Sequence, residues 1–376
     1  MKELGIGLIG CGFMGKCHAL AYRAASATFG GDVKARLELL CDADPETAAR
    51  AAQQFGFARS TNDWRALVAD PAVDLVSVTV PNALHREMVL GAIAAGKHVY
   101  CEKPMALTLE DAGEMTEAAR RAGVRTLVGY NYLRNPQLVL AKSLIERGEI
   151  GAVTHFRGVY DEDYAADEKI PYSWRCRVAE AGTGTLGDLA CHLVSVAQFL
   201  AGPIEAVCAD IQTVISERPL ADGKQGTGRV ENEDIAAALL RFQSGVRGTL
   251  SSSRVTWGRK CHLAWEVWGS RGTISFDQER MNELQFFRAD GDKSTQGFRT
   301  ILTGPQHPPY DHFCPAPGHG LGFNDLKTIE VDHLLRGIAF GEALYPAFDD
   351  ALAIERVIHG IAASAKSERW VSTTAG

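Results

Sequence analysis

The stretch GLIGCGFMG, residues 7–15, decides the fold. A short apolar run ends in Gly10, Gly12 and Gly15 at GxGxxG spacing, and a helical pattern, FMGKCHALAYRAA, begins inside it. Alone the hexapeptide is a weak signal, because many tight strand-to-helix turns use glycine. Here it closes a strand and opens a helix, which gives each glycine a task. Gly10 makes the turn, Gly12 lets a pyrophosphate approach the backbone, and Gly15 lets helix and strand pack closely. The N–H groups of the first helical turn, around Phe13 and Met14, then face the phosphates.

From this stretch to about Gly129, strand-like runs alternate with helical patterns: RLELLCD, PETAARAAQQFG, VDLVSVTV, HREMVLGAIAAG, HVYC, TLEDAGEMTEAARRAG and RTLVGY. The strands are apolar throughout, not at every second residue, which marks a parallel sheet covered on both faces. Residues 1–129 are therefore expected to form a doubly wound α/β Rossmann domain. Beyond the helical PQLVLAKSLIERGEIG the pattern changes to runs such as VTHFRGVY, IAAALLRF, VRGTLSSSRVT and HLAWEVWGS, joined by turn signals. Residues 130–376 should form an α+β domain with a large, mostly antiparallel open sheet. Its helices, GTLGDLACHLVSVAQFL and two closing ones at 325–341 and 346–367, would lie on one face, or the closing helices would pack back on the first domain.

Composition narrows the function. A formal charge of −7 with no block of Lys or Arg speaks against nucleic acid or an anionic membrane surface as partner and for a small molecule. The nine cysteines are scattered without a CxxC pair, as in reduced cytoplasmic proteins. No run is expected to be long and apolar enough to span a bilayer. The glycine-punctuated start reads as a strand and turn, not as a signal peptide.

The second strand ends in LLCDADP, and Asp42 stands where a dinucleotide fold keeps the acid that hydrogen-bonds the adenosine ribose. A carboxylate there repels a 2′-phosphate and no Arg follows at once, so NAD is favoured over NADP. Asp42 could instead start the next helix, but Asp44, beside Pro45, suits that role better.

Three further segments carry a resemblance: VPNALH with Pro81, Asn82 and His85, CEKP with Glu102, Lys103 and Pro104, and GTLGDLACH with Asp188 and His192. With the N-terminal glycines they make the chain resemble the Gfo/Idh/MocA family of NAD(P)-dependent oxidoreductases along its whole length. Within that family it is similar to the branch that oxidises anhydrosugars and glycosides. The resemblance implies an enzyme oxidising a secondary hydroxyl of a sugar, anhydrosugar, glycoside or polyol, working as a homodimer or homotetramer. It implies Lys103, Asp188 and His192 as the catalytic group, and cofactor contacts from the glycine loop, Pro81, Asn82, His85, Glu102, Lys103, Trp174 and Arg175. The family often continues DxGxHxxD; here Ala190 and Ser195 replace the glycine and the last acid, which weakens an inositol as substrate.

The residue types suit that chemistry. His192 can exchange a proton near neutral pH, Asp188 can orient it and stabilise the imidazolium, and Lys103 can donate to the substrate oxygen. An Asp and a His four apart in an apolar helix can also be a plain packing contact. Tyr132 and Arg134 in NYLRNP, Arg175 in YSWRCR and His319 in HPPYDHFCPAPGHG are candidate substrate contacts or ordinary anchors. His307, Asp311, His312, Cys314 and His319 have the composition of a zinc site but match no metal spacing, so no metal is expected. Trp265 and Trp268 fall on opposite faces of a strand and read as packing or subunit interface. Two other functions fit such a chain: a glycosidase that retains its NAD, and a non-catalytic NAD-dependent sugar sensor.

Overall fold

The computed structural model describes residues 2–374 except 222 and 224, and its contacts divide into two units. The first holds residues 1–134 and 321–352. Its strands are β1 (Lys2–Ile9), β2 (Val33–Cys41), β3 (Arg59–Thr61), β4 (Leu75–Val78), β5 (His98–Cys101) and β6 (Thr126–Val128). They alternate with α1 (Phe13–Thr28), α2 (Pro45–Phe55), α3 (Trp64–Ala69), α4 (His85–Ala94) and α5 (Leu109–Ala122). All strand pairs are parallel, in the order β3-β2-β1-β4-β5-β6, the doubly wound dinucleotide-binding order. β4 (LVSV) and β6 (TLV) are buried along their whole length, as strands with helices on both sides must be.

One face of this unit has a constituent that comes from far along the chain. The helix Phe323–Phe340, α9 in chain order, packs on α1 and places Val331, Leu334 and Leu335 in a core with Ile6, Tyr22, Leu75, Tyr100 and Leu127. The expected assignment of both closing helices to the second domain is thus corrected for α9, while the alternative of packing back on the first holds. The division falls between 134 and 135, not at 129/130, because the turn Asn131–Arg134 stays with the first unit, where the Arg134 guanidinium donates to the Tyr345 carbonyl.

The second unit holds residues 135–320 and 353–376. It contains α6 (Pro136–Glu146), β7 (Val153–Asp161), α7 (Val178–Ala181), α8 (Cys191–Ala201), β8 (Ile204–Gln212), β9 (Glu217–Pro219), β10 (Thr227–Arg229), β11 (Ile235–Phe242), β12 (Arg247–Ser253), β13 (His262–Gly269), β14 (Gly272–Asp277), β15 (Glu283–Arg288) and β16 (Arg299–Leu302). The closing helix α10 (Phe348–Ser367) crosses the division, and β17 (Val371–Ser372) ends the sheet. Nine strands run in the order β16-β15-β14-β13-β7-β12-β11-β8-β17, with β7–β12 the parallel pair and the other pairs antiparallel. Alternation is clean: in β11, Ala236, Ala238, Leu240 and Phe242 are buried while Ala237, Leu239 and Arg241 are exposed. α8 lies against β7 and β13. Trp265 is buried and stacked on Phe276, and Trp268 lies on the other face beneath the Arg157 guanidinium.

The expectation about apolar length also needs correcting. Among the described residues, Val178–Ala201 is a helical run long and apolar enough to cross a membrane by composition alone. In the fold 78% of that window is buried inside the protein, because it is the core helix that the sheet packs on.

α1 lies close against the turn that follows β1 at Gly15, where a Cβ would stand 2.1 Å from the Gly10 carbonyl oxygen. Gly15→Ala should cost about 1–3 kcal/mol in denaturant unfolding and weaken NAD binding, since relief requires α1 to shift against β1. Unchanged unfolding together with unchanged NAD titration would contradict this packing.

Candidate active site

The first unit's candidate cofactor site lies where β1 and β4, running side by side, send their connections to opposite sides. Gly10 has φ +92°, its carbonyl accepts the Thr79 hydroxyl at 2.7 Å, and the Thr79 N–H donates to the Ile9 carbonyl at 2.9 Å. Gly12, the residue before α1, has nothing within 4 Å of where a Cβ would stand, so the backbone there is open to an approaching group. No side chain caps α1 and no acid lies in its first turn, which leaves that helix end suited to phosphate. Phe13 is exposed beside the half-buried Met14, and its ring stacks on Phe323 at 6.0 Å.

At the end of β2, the Asp42 carboxylate accepts the Cys11 backbone N–H at 3.1 Å and the Cys11 thiol at 2.9 Å. Burial, with this hydrogen bond second, pushes the thiol up to about 12. Asp44 caps α2 by accepting from the Thr47 N–H at 2.9 Å, so the helix cap does not fall to Asp42. A carboxylate tied to the glycine loop beside an open Gly12 and an uncapped helix end fits NAD. The pyrophosphate would lie over Gly10–Gly15 and the adenosine ribose at Asp42.

The turn after β5 carries Lys103, which is half-buried, and the Lys103–Pro104 bond is cis. Glu102 points inward. Its Oε1 accepts from Lys327 Nζ at 2.6 Å and pairs with His18 Nε2 at 2.8 Å, and its Oε2 accepts the Lys103 N–H at 3.3 Å. Lys327 also donates to Glu330 at 3.0 Å and to the Tyr100 hydroxyl at 3.0 Å, and that hydroxyl donates to Glu330. Burial alone would raise the Glu102 carboxyl, but the Lys327 ammonium and His18 outweigh it and hold it well below the carboxylate range. Burial likewise works against the Lys327 charge, and Glu102 and Glu330 outweigh it, so Lys327 is raised.

Two of the expected cofactor residues have side chains engaged inside the protein. Glu102 is 4% exposed and spends its oxygens on this network. His85 is fully buried, its ring nitrogens 3.0 Å from the Pro104 and Val80 carbonyls, so it braces the turn from the other side. Pro81 remains exposed and Asn82 half-buried in the turn after β4. Tyr132 is buried with its ring edge-on to Phe323 at 6.2 Å. The half-buried Arg134 guanidinium donates to the Tyr345 carbonyl.

In the second unit, the helix read as one α-helix begins as a π-turn, Leu186–Ala190, that runs into α8. Such wide turns occur mostly at functional sites, and this one carries Asp188. Glu233 fixes it: its carbonyl accepts the Thr185 N–H at 3.0 Å and its side chain the Leu186 N–H at 2.9 Å. A Cβ on Gly184 would stand 2.0 Å from that carbonyl oxygen, so glycine is required there. Asp188 is half-buried and accepts the Tyr164 hydroxyl at 2.6 Å, while the His192 ring lies edge-on to Tyr160 at 6.1 Å. Burial and the adjacent Asp188 carboxylate push the Tyr164 phenol well above 10.

Ser195 is buried, and its hydroxyl donates to the His192 carbonyl at 2.6 Å, one turn back in its own helix. Exposed Arg175 lies over the Trp174 ring at 4.5 Å, with its carbonyl held by Asn232. The His319 side chain is exposed on a loop pinned by the buried Tyr310 hydroxyl, which donates to the Ala316 and His319 carbonyls. Among the described residues no three His, Cys, Asp or Glu side chains gather as a metal would need.

Sequence reasoning missed Tyr164, Glu233, His18, Lys327 and Glu330. Nothing near Tyr164 announces a partner 24 positions on, and Lys327 and Glu330 look like ordinary charges on an amphipathic helix.

Comparison with known proteins agrees with this architecture. The model of the oxidoreductase family with an NAD-binding Rossmann fold, GFO_IDH_MocA, matches residues 4–130, and that of the GFO/IDH/MocA C-terminal domain matches residues 138–275. Levoglucosan dehydrogenase from Pseudarthrobacter phenanthrenivorans is 39% identical over 99% of this chain and 98% of its own length. A levoglucosan dehydrogenase structure in complex with NADH and L-sorbose superposes with TM-score 0.97 at 39% identity, each chain covered in full. A structure of an NAD binding oxidoreductase from Klebsiella pneumoniae gives TM-score 0.95 at 45% identity, again over both chains in full.

Tyr164→Phe should lower turnover about tenfold while shifting stability by less than about 1 kcal/mol, since a charge-assisted hydrogen bond is lost at a partly exposed site. Equal turnover of the two proteins would show the phenol to be a bystander. Burial lowers the pKa of His18 and His85 and brings His333 down to about 3, so all three are neutral in the fold at neutral pH. As pH falls through about 6.5 the unfolded chain takes up protons that the fold does not, so stability must fall. Glu102 adds a further loss below about 4.3, its ordinary value, as the pH drops toward its lowered folded one. Urea midpoints at pH 7.5, 6 and 5 should decline in that order; a rise toward pH 5 would contradict the assignment.

Proposed function

The chain belongs to the Gfo/Idh/MocA family of NAD-dependent oxidoreductases, and we propose that it oxidises a secondary hydroxyl of a sugar or anhydrosugar. The observation that supports this most is the likeness over both chains in full to a levoglucosan dehydrogenase crystallised with NADH and a sugar. The glycine loop and Asp42 hold the cofactor, with Phe13, Met14, Pro81 and Asn82 beside it. Bound NAD supplies the hydride acceptor. His192 takes the hydroxyl proton as the imidazole becomes imidazolium, and returns it in the reverse direction. The negative charge of Asp188 favours that imidazolium, and Tyr164 holds the carboxylate in one orientation. The Lys103 ammonium donates to the substrate oxygen and stabilises the charge that develops there as the proton leaves. Tyr132, Arg175 and His319 are proposed substrate contacts.

Nine free thiols suit the cytoplasm, and the exposed face of the second unit's sheet, with Leu239 52% exposed, suits association into a homodimer or homotetramer.

The test is NAD reduction over a panel of levoglucosan, other sugars, inositols and glycosides, followed at about 340 nm, a property of the cofactor. Steady NADH formation with at least one sugar, faster with NAD than with NADP, is expected. Continued glycoside cleavage without net NADH formation would identify an NAD-retaining hydrolase instead, and binding without turnover a sensor. His192→Ala and Lys103→Ala should each retain NAD binding and lose at least about a hundredfold in turnover. Wild-type rates in both would refute the roles assigned.

A further inference from the structure

Behind Lys103 lies a set of buried charges that the chemistry above does not use. Lys327 on α9 is fully buried and its ammonium makes three hydrogen bonds, to Glu102, Glu330 and Tyr100, which uses all its donors. Glu102 is closed in on every side: Lys327 and His18 at one oxygen, the Lys103 N–H at the other, and Gly129 behind, where a Cβ would stand 2.5 Å from Oε1. The charges balance, with Glu102 and Glu330 against Lys327 and Arg134, His18 being neutral. A buried charge network gives little stability over apolar packing of the same volume. What this one does provide is a fixed position for a carboxylate whose free end grips the backbone of Lys103.

We propose that Lys327 is a positioning residue for the reaction: through Glu102 it sets the Lys103 turn, and thereby where the Lys103 ammonium meets the substrate oxygen. This rests on the catalytic role proposed for Lys103. The link runs from α9, about two hundred residues along the chain, to the end of β5.

Three variants of the full-length protein decide it: Lys327→Met, which removes the anchor, Gly129→Ala, which pushes on the Glu102 carboxylate without removing a charge, and Lys103→Ala as control. Turnover per NAD-binding site is measured with the best sugar of the panel, beside backbone hydrogen exchange in the peptide spanning 101–108. In Lys327→Met and Gly129→Ala, turnover should fall at least about thirtyfold, the scale of sub-ångström misplacement, with the NAD Kd within about threefold. Exchange in 101–108 should quicken while β2 stays protected. Turnover per site within twofold of wild type, or a quickening shared equally by β2, would overturn the proposal and leave only a structural role. If Lys327→Met does not fold, Gly129→Ala carries the decision. If Lys103→Ala turns over like wild type, or no sugar is oxidised, the catalytic reading has failed, and local quickening in 101–108 alone then decides whether Lys327 sets the turn.

Discussion

A buried ammonium cannot stay charged in an apolar core without carboxylates beside it, and Lys327 meets that demand by joining α9 to the carboxyl edge of the parallel sheet. The apolar contacts of Val331, Leu334 and Leu335 supply the driving force for α9 to dock, but they would tolerate sliding along the sheet. The ion pair to Glu102 does not. It fixes the helix register, and with it the wall of rings formed by Phe13, Phe323 and Tyr132. Removing one partner would strand a charge in the core, which costs about 3–5 kcal/mol, far more than the pair adds to stability.

The second unit solves the same problem with neutral donors. Its reactive candidates sit on a helix whose first turn is too wide for an α-helix, and the widening is held by Glu233 through its own carbonyl and carboxylate. Burial raises the Glu233 carboxyl, with the N–H groups of Leu186 and Gly184 working against it. The neighbouring Asp234 is tied to Arg254 at 2.8 Å and accepts from the Val214 and Ile215 N–H groups, so the segment that carries Glu233, just before β11, is itself held in place. In each unit the candidate residues stand beside a buried carboxylate that is engaged within the protein.

What could be read in advance was what depends on neighbours in sequence. The turn at Gly10, Gly12 and Gly15, the capping of α2 by Asp44, and the parallel-then-antiparallel pattern all follow from local spacing, and the structure has them as read. What could not be read in advance depends on tertiary partners. His85 and Glu102 carry reactive side chains in a suggestive motif, yet both are consumed by contacts inside the protein. Ser195 has the right helical spacing from His192 to look outward, but a hydroxyl in a buried helix bonds its own backbone. α9 carried no sign of which unit it would join, because an amphipathic pattern states that a face is buried and not against what.

Cys11 places a sulfhydryl in the loop that approaches the cofactor, where an ordinary thiol would be open to peroxide and disulfide exchange. Burial, and after it the hydrogen bond to Asp42, push this thiol up to about 12, which disfavours the thiolate at neutral pH. Attack by oxidants requires the thiolate, so the acid that suits the ribose also makes its neighbour chemically inert. The dinucleotide loop should therefore survive oxidative stress that inactivates enzymes with exposed, acidic cysteines.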